Sequence, residues 1–194
     1  GAANKIIQGD ITYDESNPTL PLVIFVHGFK GFKDWGAHNL VARYFAQSGF
    51  RFMKFNFSHN GVTGEDGSDI TDLDTFASNT ISKELYDLDH VISFACNKEN
   101  FNAISNVYLI GHSRGGALSI LQANHDPRVD KLVTWGSISD FKSLWKPEQV
   151  EQWRSGGVVE IENAPTKEKM PVNSTLREDV EQNAELFTVE AAAK

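Results

Sequence analysis

Val107-Tyr108-Leu109-Ile110-Gly111-His112-Ser113-Arg114-Gly115-Gly116 runs directly into Ala117-Leu118-Ser119-Ile120-Leu121. An apolar, β-type run that turns at Gly-x-Ser-x-Gly into a helical run lifts the serine hydroxyl out of a sheet, and the glycines stand where side chains would collide. The bare pattern recurs by chance, so the flanking chain must decide what it means. Upstream, Leu22-Val23-Ile24-Phe25-Val26 is a continuous β-branched and aromatic run, the signature of a strand buried on both faces. It leaves through His27-Gly28-Phe29-Lys30-Gly31.

Working outward, Ile6 to Tyr13 reads as an edge strand closed by the turn set Asp14-Glu15-Ser16-Asn17-Pro18. Leu40, Val41, Tyr44 and Phe45 recur at helical spacing, and Gly49 ends that helix. Phe50 to Phe57 is the next strand. A long acidic loop follows, from Glu65-Asp66-Gly67-Ser68-Asp69 on to Asp72 and Asp74; its spacing misses the EF-hand pattern, so it reads as a solvated loop and no metal site is expected. Ile81, Leu85, Leu88, Val91, Ile92 and Ala95 share one helix face. Leu132-Val133-Thr134-Trp135-Gly136 is a fifth strand. Strands that alternate with helices, each strand apolar throughout, imply an α/β fold with a mostly parallel central sheet flanked by helices and right-handed crossovers. The alternation stops after Asp140. Residues 141–183 carry Trp145, Trp153 and three prolines, with a helix at Pro147 to Arg154, a strand at Val158 to Ile161 and a helix near Thr175 to Asn183. They read as a small cap insertion between a core at residues 1–140 and a return to the core at residues 184–194.

The bulk numbers exclude several classes of function. With 18 Lys+Arg against 26 Asp+Glu, the net charge is −8, which argues against nucleic acid or an anionic membrane as partner. A single cysteine, Cys96, excludes an internal disulfide, and its apolar helical setting predicts a buried, inert thiol. The longest apolar run, Leu20 to Val26, is broken by Pro21 and is too short to span a bilayer. No signal peptide opens the chain, although Gly1-Ala2 fits a processing or cloning scar. A cytoplasmic protein without cofactor is expected.

Chemistry at Ser113 needs a base and oxyanion donors, because a neutral serine is a poor nucleophile. In a strand-turn-helix the N–H of the residue after the serine, Arg114, is one donor, reinforced by the helix N-terminus. The second should come from the loop at Gly28-Phe29. Together, His27-Gly28-Phe29 after a buried strand and the hexapeptide around Ser113 resemble the α/β-hydrolase family. Within it the chain is most similar to the bacterial esterase, dienelactone-hydrolase-like and serine-aminopeptidase-like branch. The resemblance implies a serine esterase-type hydrolase, with Ser113 as nucleophile, the Phe29 and Arg114 main-chain N–H groups as oxyanion hole, and a small-molecule ester or acyl substrate. Trp145 and Trp153 are equally cap core or acyl-pocket wall. His112 reads as a packing neighbour, and His27 as a brace for the oxyanion loop.

The family orders its triad serine, acid, histidine along the chain. Asp140 is the candidate acid, or else a cap on the following segment. No histidine fits: His27, His38, His59 and His90 precede the serine, and His125 ends the following helix. The expectation is therefore a chain lacking its C-terminal part, inactive or nearly so, whose uncovered sheet edge favours a homodimer or strand exchange. The rival expectation is a non-catalytic protein of the same fold that binds a ligand or partner through its cap.

Overall fold

The computed structural model describes residues 1–194 apart from 17–19, 64–68, 98, 100, 102, 103, 144 and 164–166. Asn17 and Pro18 of the first turn set, and Glu65, Asp66, Gly67 and Ser68 of the acidic loop, lie outside the described residues. Five strands form one sheet: β1 (Gln8–Thr12), β2 (Leu22–Val26), β3 (Arg51–Asn56), β4 (Val107–His112) and β5 (Val129–Trp135), in the spatial order β1-β3-β2-β4-β5. β1 is the antiparallel edge, and all other pairings are parallel, with Ile24 of β2 opposite both Met53 and Leu109.

Alternation along β2 decides the two faces. Leu22, Ile24 and Val26 pack toward α3 (Ile81–Cys96) and α4 (Arg114–His125), whereas Val23 and Phe25 pack toward α1 (His38–Gln47). Burying each such side chain contributes about 1.5–3 kcal/mol. α1 turns its His38, Ala42 and Ala46 stripe inward with Val41 and Phe45 beside it, so Leu40 and Tyr44, expected on that face, point to solvent. They lie on the far side of a 3.6-residue repeat. α1 ends as predicted at Gly49, whose φ of +84° lets Phe50 N–H reach Phe45 O at 3.1 Å and Gly49 N–H reach Ala46 O at 3.2 Å.

Three further expectations are corrected. Asp72 and Asp74 do not belong to a loop: Asp72 caps the short helix α2 (Leu73–Ala77) by accepting the Thr75 N–H at 3.0 Å, and Phe76 buries itself below. Cys96 is exposed, because it closes the last turn of α3 one position past the buried Ala95. β5 is not a buried strand. It is the other edge of the sheet among the described residues, and Val133 and Trp135 are 58% and 52% exposed.

Residues after Asp140 form α5 (Pro147–Arg154), a hairpin of β6 (Val159–Glu162) and β7 (Lys169–Val172), and α6 (Ser174–Gln182), followed by α7 (Val189–Ala192). Trp153, Val159, Met170, Val172 and Leu176 join the main hydrophobic core. Asn173 N–H donates to Ala77 O at 3.0 Å, and Asp179 accepts the Ser82 N–H at 2.9 Å. This layer thereby roofs the carboxyl ends of the strands. Phe187 and Val189 return to the core, the first with its ring against Phe141.

A partly buried ionic quartet ties the loop after β2 to the sheet. Lys54 on β3, 2% exposed, bonds to Asp34 at 2.5 Å and to Asp10 at 3.0 Å, and Lys33 bonds to Asp10 at 2.8 Å and also to Asp34. Burial pushes the Asp34 carboxyl up, but its bonds to Lys33 and Lys54 outweigh that and hold it below its ordinary value. Lys33 N–H also donates to Asn56 Oδ1 at 2.7 Å, fixing the loop to the end of β3. Among the described residues no helix is long and apolar enough to cross a membrane.

Candidate active site

Ser113 stands at the junction of β4 and α4 with φ 54° and ψ −120°. A non-glycine residue holds such a conformation only where its surroundings over-determine it, at a cost of about 1–3 kcal/mol. The surroundings are on hand. Ser113 N–H donates to Trp135 O at 3.0 Å, and Ser113 O accepts from Gly116 N–H at 3.0 Å and Ile138 N–H at 3.3 Å. β5 and the segment after it therefore clamp the turn from one side.

The loop after β2 closes from the other side. A Cβ at Gly28 would lie 2.9 Å from Ser113 Cβ, and one at Gly115 would lie 2.2 Å from Val26 O and 2.5 Å from His27 O. Only glycine permits this approach, which brings the Phe29 and Arg114 segments to the two sides of the serine. Neither Phe29 N–H nor Arg114 N–H has an acceptor among the described residues. The turn that carries Phe29 is held by Gly31 N–H donating to Gly28 O at 3.0 Å, with Lys30 at φ 59°.

His27 sits beneath this turn, buried, with Nδ1 2.9 Å from Gly28 O and Nε2 3.5 Å from Phe57 N–H. Burial, helped by the Arg114 charge, lowers its pKa to about 3 against the opposing Gly28 bond. A neutral imidazole locked in this way braces the loop. His112, ring centroid 5.5 Å from that of Trp135, and His38, 4.5 Å from the Phe25 ring, are also pushed down by burial. Both line a second hollow beside the loop after β2, together with Trp35 and Lys30. His59 is lowered to about 4, by burial and then by the Lys83 charge. Among the described residues no imidazole bonds to Ser113 Oγ.

Ser113, Phe29 and Arg114 share the wall of an open hollow of about 110 Å³ that Trp145 and Trp153 also line. The two indoles meet edge-to-face at 5.2 Å, and Trp153 Nε1–H donates to Val172 O at 2.8 Å. They thus serve as layer core and pocket wall at once. Apart from Gln149, the remaining lining is apolar, chiefly Ile138, Phe141, Ile161 and Leu176. Asp140 is not brought to this hollow: it is exposed, its carboxylate accepts Lys142 N–H at 3.2 Å, and it borders a separate depression against α6 and α7. No group of His, Cys, Asp and Glu side chains among the described residues could hold a metal.

One pair of polar residues at the site escaped the sequence reading. Glu84 and Asn79 lie buried behind Arg114, with Asn79 Nδ2 donating to Glu84 Oε1 at 2.7 Å and the Arg114 guanidinium bonded to the same oxygen. The signal was present, since Glu84 interrupts the apolar stripe Ile81, Leu88, Val91 at a core position of the helix.

The family model described as serine aminopeptidase, S33, matches residues 17–185. Over 90 residues the chain is 33% identical to a protein of Escherichia coli K12 provisionally named carboxymethylenebutenolidase, a match covering 43% of this chain and 32% of that one. The chain thus spans about a third of the length of the curated relatives it matches. Among solved structures, Est1E from Butyrivibrio proteoclasticus with ferulic acid bound aligns at TM-score 0.63 and 18% identity, covering 100% of this chain and 69% of that chain. A monoacylglycerol lipase of Paleococcus ferrophilus aligns at TM-score 0.62 and 14% identity, covering 96% and 71%. At these identities the structural likeness concerns the fold.

Proposed function

The chain belongs to the serine aminopeptidase S33 family of α/β hydrolases, and from that premise we propose that it is a serine hydrolase of carboxylic esters or related acyl compounds, working through an acyl-enzyme on Ser113. The observation that carries the proposal is the strained Ser113 on the wall of a largely apolar hollow that Phe29 and Arg114 also line, their main-chain N–H groups without acceptors among the described residues. Ser113 Oγ would attack the acyl carbon and lose its proton to a base. The Phe29 and Arg114 N–H groups would donate to the oxyanion, and the alcohol would leave with the proton. Water would then release the acid and restore the serine. The apolar wall of Trp145, Trp153, Ile138 and Phe141 favours an apolar acyl group. Est1E with ferulic acid and the lipase supply the analogy for such an acid. The proposal assigns the base to no residue of this chain and needs no cofactor. It keeps the expectation of a bacterial, cytoplasmic protein acting on a small molecule.

A second reading is ligand binding without turnover, favoured by the lack of an imidazole on Ser113 Oγ among the described residues. Release of p-nitrophenol from p-nitrophenyl butyrate separates the two. Hydrolysis requires release that disappears in Ser113→Ala, slow because loss of the base costs several orders of magnitude. Saturable binding of butyrate with no release dependent on Ser113 would support the second reading and defeat the first.

A further inference from the structure

Arg114 has a side chain as well as a main-chain N–H, and its position at the site is unusual for a cation. It is buried, and its guanidinium carbon lies 4.2 Å from the centroid of the Phe29 ring. The same Phe29 ring stacks on Phe76 of α2 at 5.5 Å. The guanidinium also bonds to Glu84, which sits in the first turn of α3, after the cap Thr80, and is itself held by Asn79. A buried guanidinium is retained only when paired, and a cation over an aromatic face is worth more when water is excluded.

We propose that Glu84 is a positioning residue for the oxyanion hole. It fixes the Arg114 guanidinium against the Phe29 ring, and so locks the two residues whose N–H groups flank Ser113 into one spacing. The proposal rests on the serine-hydrolase reading for its catalytic meaning, but the clamp exists as a mechanical statement without it. The two residues come from different ends of the chain order, one from the loop after β2 and one from the start of α4. Main-chain bonds set each separately: the Gly28–Gly31 turn for Phe29 and the helix for Arg114. The side-chain bridge Glu84-Arg114-Phe29 is what couples them across the serine. Asn79 takes part by occupying Glu84 Oε1 jointly with Arg114, which orients the carboxylate; Glu84 Oε2 and Asn79 Oδ1 are left buried without a donor among the described residues. Packing alone would be better served by apolar side chains here, since a buried ion pair adds little net stability. Positional coupling accounts for its presence.

The decisive variant is the double substitution Glu84→Leu with Arg114→Met. It removes both charges, strands neither, and keeps the residue 114 N–H, so the fold should survive. Two quantities are read: the rate at which a saturating fluorophosphonate modifies Ser113, and the NMR order parameter of the Phe29 amide. The clamp predicts a saturated rate about tenfold lower with unchanged half-saturation, as misplacement of an oxyanion donor lowers the chemical step. It also predicts that the Phe29 order parameter falls from about 0.85 toward 0.6. Glu84→Gln, which keeps the shape and one acceptor, should show the same changes in smaller measure. A double variant that matches the parent in both rate and order parameter overturns the proposal. If the parent chain does not react with the probe at all, the serine-hydrolase reading fails, and the order parameter alone then decides the clamp: a fall upholds it and no change overturns it.

Discussion

Gly115→Ala isolates the contact that builds the site. At an ordinary helix position this change would stabilise by about 0.5–1 kcal/mol, through higher helix propensity. At Gly115 the new Cβ would lie 2.2 Å from Val26 O and 2.5 Å from His27 O. Both are main-chain atoms of the strand and loop that carry the oxyanion turn, and neither can swing aside as a side-chain tip could. Carbon–oxygen contacts settle at about 3.3 Å, so the start of α4 must withdraw from β2 by roughly 1 Å. Overpacking of this kind costs about 1–3 kcal/mol, centred on about 2, which against the propensity gain leaves a net loss of about 1 kcal/mol. For a chain of this size that lowers Tm by about 2–4 °C. The same withdrawal moves the Arg114 N–H away from the Phe29 N–H, and a 1 Å misplacement costs about a hundredfold in rate. Urea unfolding measures the first effect and fluorophosphonate modification of Ser113 the second. Gly49→Ala is the control: its φ of +84° is strained for alanine, but nothing lies within 4 Å of the new Cβ, so stability falls without a change in modification rate. A Gly115→Ala protein as stable and as reactive as the parent would refute the close-approach reasoning.

Four further outcomes follow from the same structure. Ser113→Gly should raise stability by about 1 kcal/mol in urea unfolding, because it relieves the φ 54° conformation, while ending all covalent modification; a loss of stability would deny the strain. His27, with its pKa lowered to about 3 in the fold against about 6.5 unfolded, binds its proton more readily in the unfolded chain. Its contribution is therefore complete above about pH 6.5 and is lost as pH falls toward 3, at about 1.4 kcal/mol per pH unit. His27→Gln should lower the pH slope of stability by about one proton in that window, and an unchanged slope would contradict the neutral buried imidazole. Lys54→Met keeps the buried stem and deletes the charge, leaving Asp34 and Asp10 to Lys33 alone. The loss expected in urea unfolding is about 2 kcal/mol, below the 3–5 of a wholly buried pair because Asp10 is half-exposed. The edge of β5, unpaired among the described residues and carrying the exposed Val133 and Trp135, should self-associate in the 194-residue chain, and a species that stays monomeric in sedimentation at high concentration would count against it.

Much of the fold was legible because it rests on short-range signals. The continuous apolar runs of β2 and β4 and the Gly49 helix stop each have one physical reading, and each took the predicted form. Ser113 was legible as a turn because glycines on both sides tolerate backbone contacts that no other residue would. Features that depend on what lies across the fold were not legible. Val133 and Trp135 look like core in the sequence, and only the strand order puts them at an edge. β7 carries Pro171 and a lysine, and is a strand because it pairs with β6. The inward Arg114 side chain could not be inferred from its neighbours, since its partner Glu84 lies 30 residues earlier on another helix. Asp140 accepts the Lys142 N–H two residues on and does not line the hollow beside Ser113, a placement its neighbours in the sequence do not announce.

The central claim is that Ser113 is a nucleophile set between the Phe29 and Arg114 N–H groups. Its most direct test is incubation of the 194-residue chain with an alkyl fluorophosphonate, followed by peptide mapping by mass spectrometry. A single phosphonyl adduct on Ser113, formed over hours and absent from Ser113→Ala, is the predicted result. No adduct at Ser113, or the same adduct on other serines at an equal rate, would contradict it.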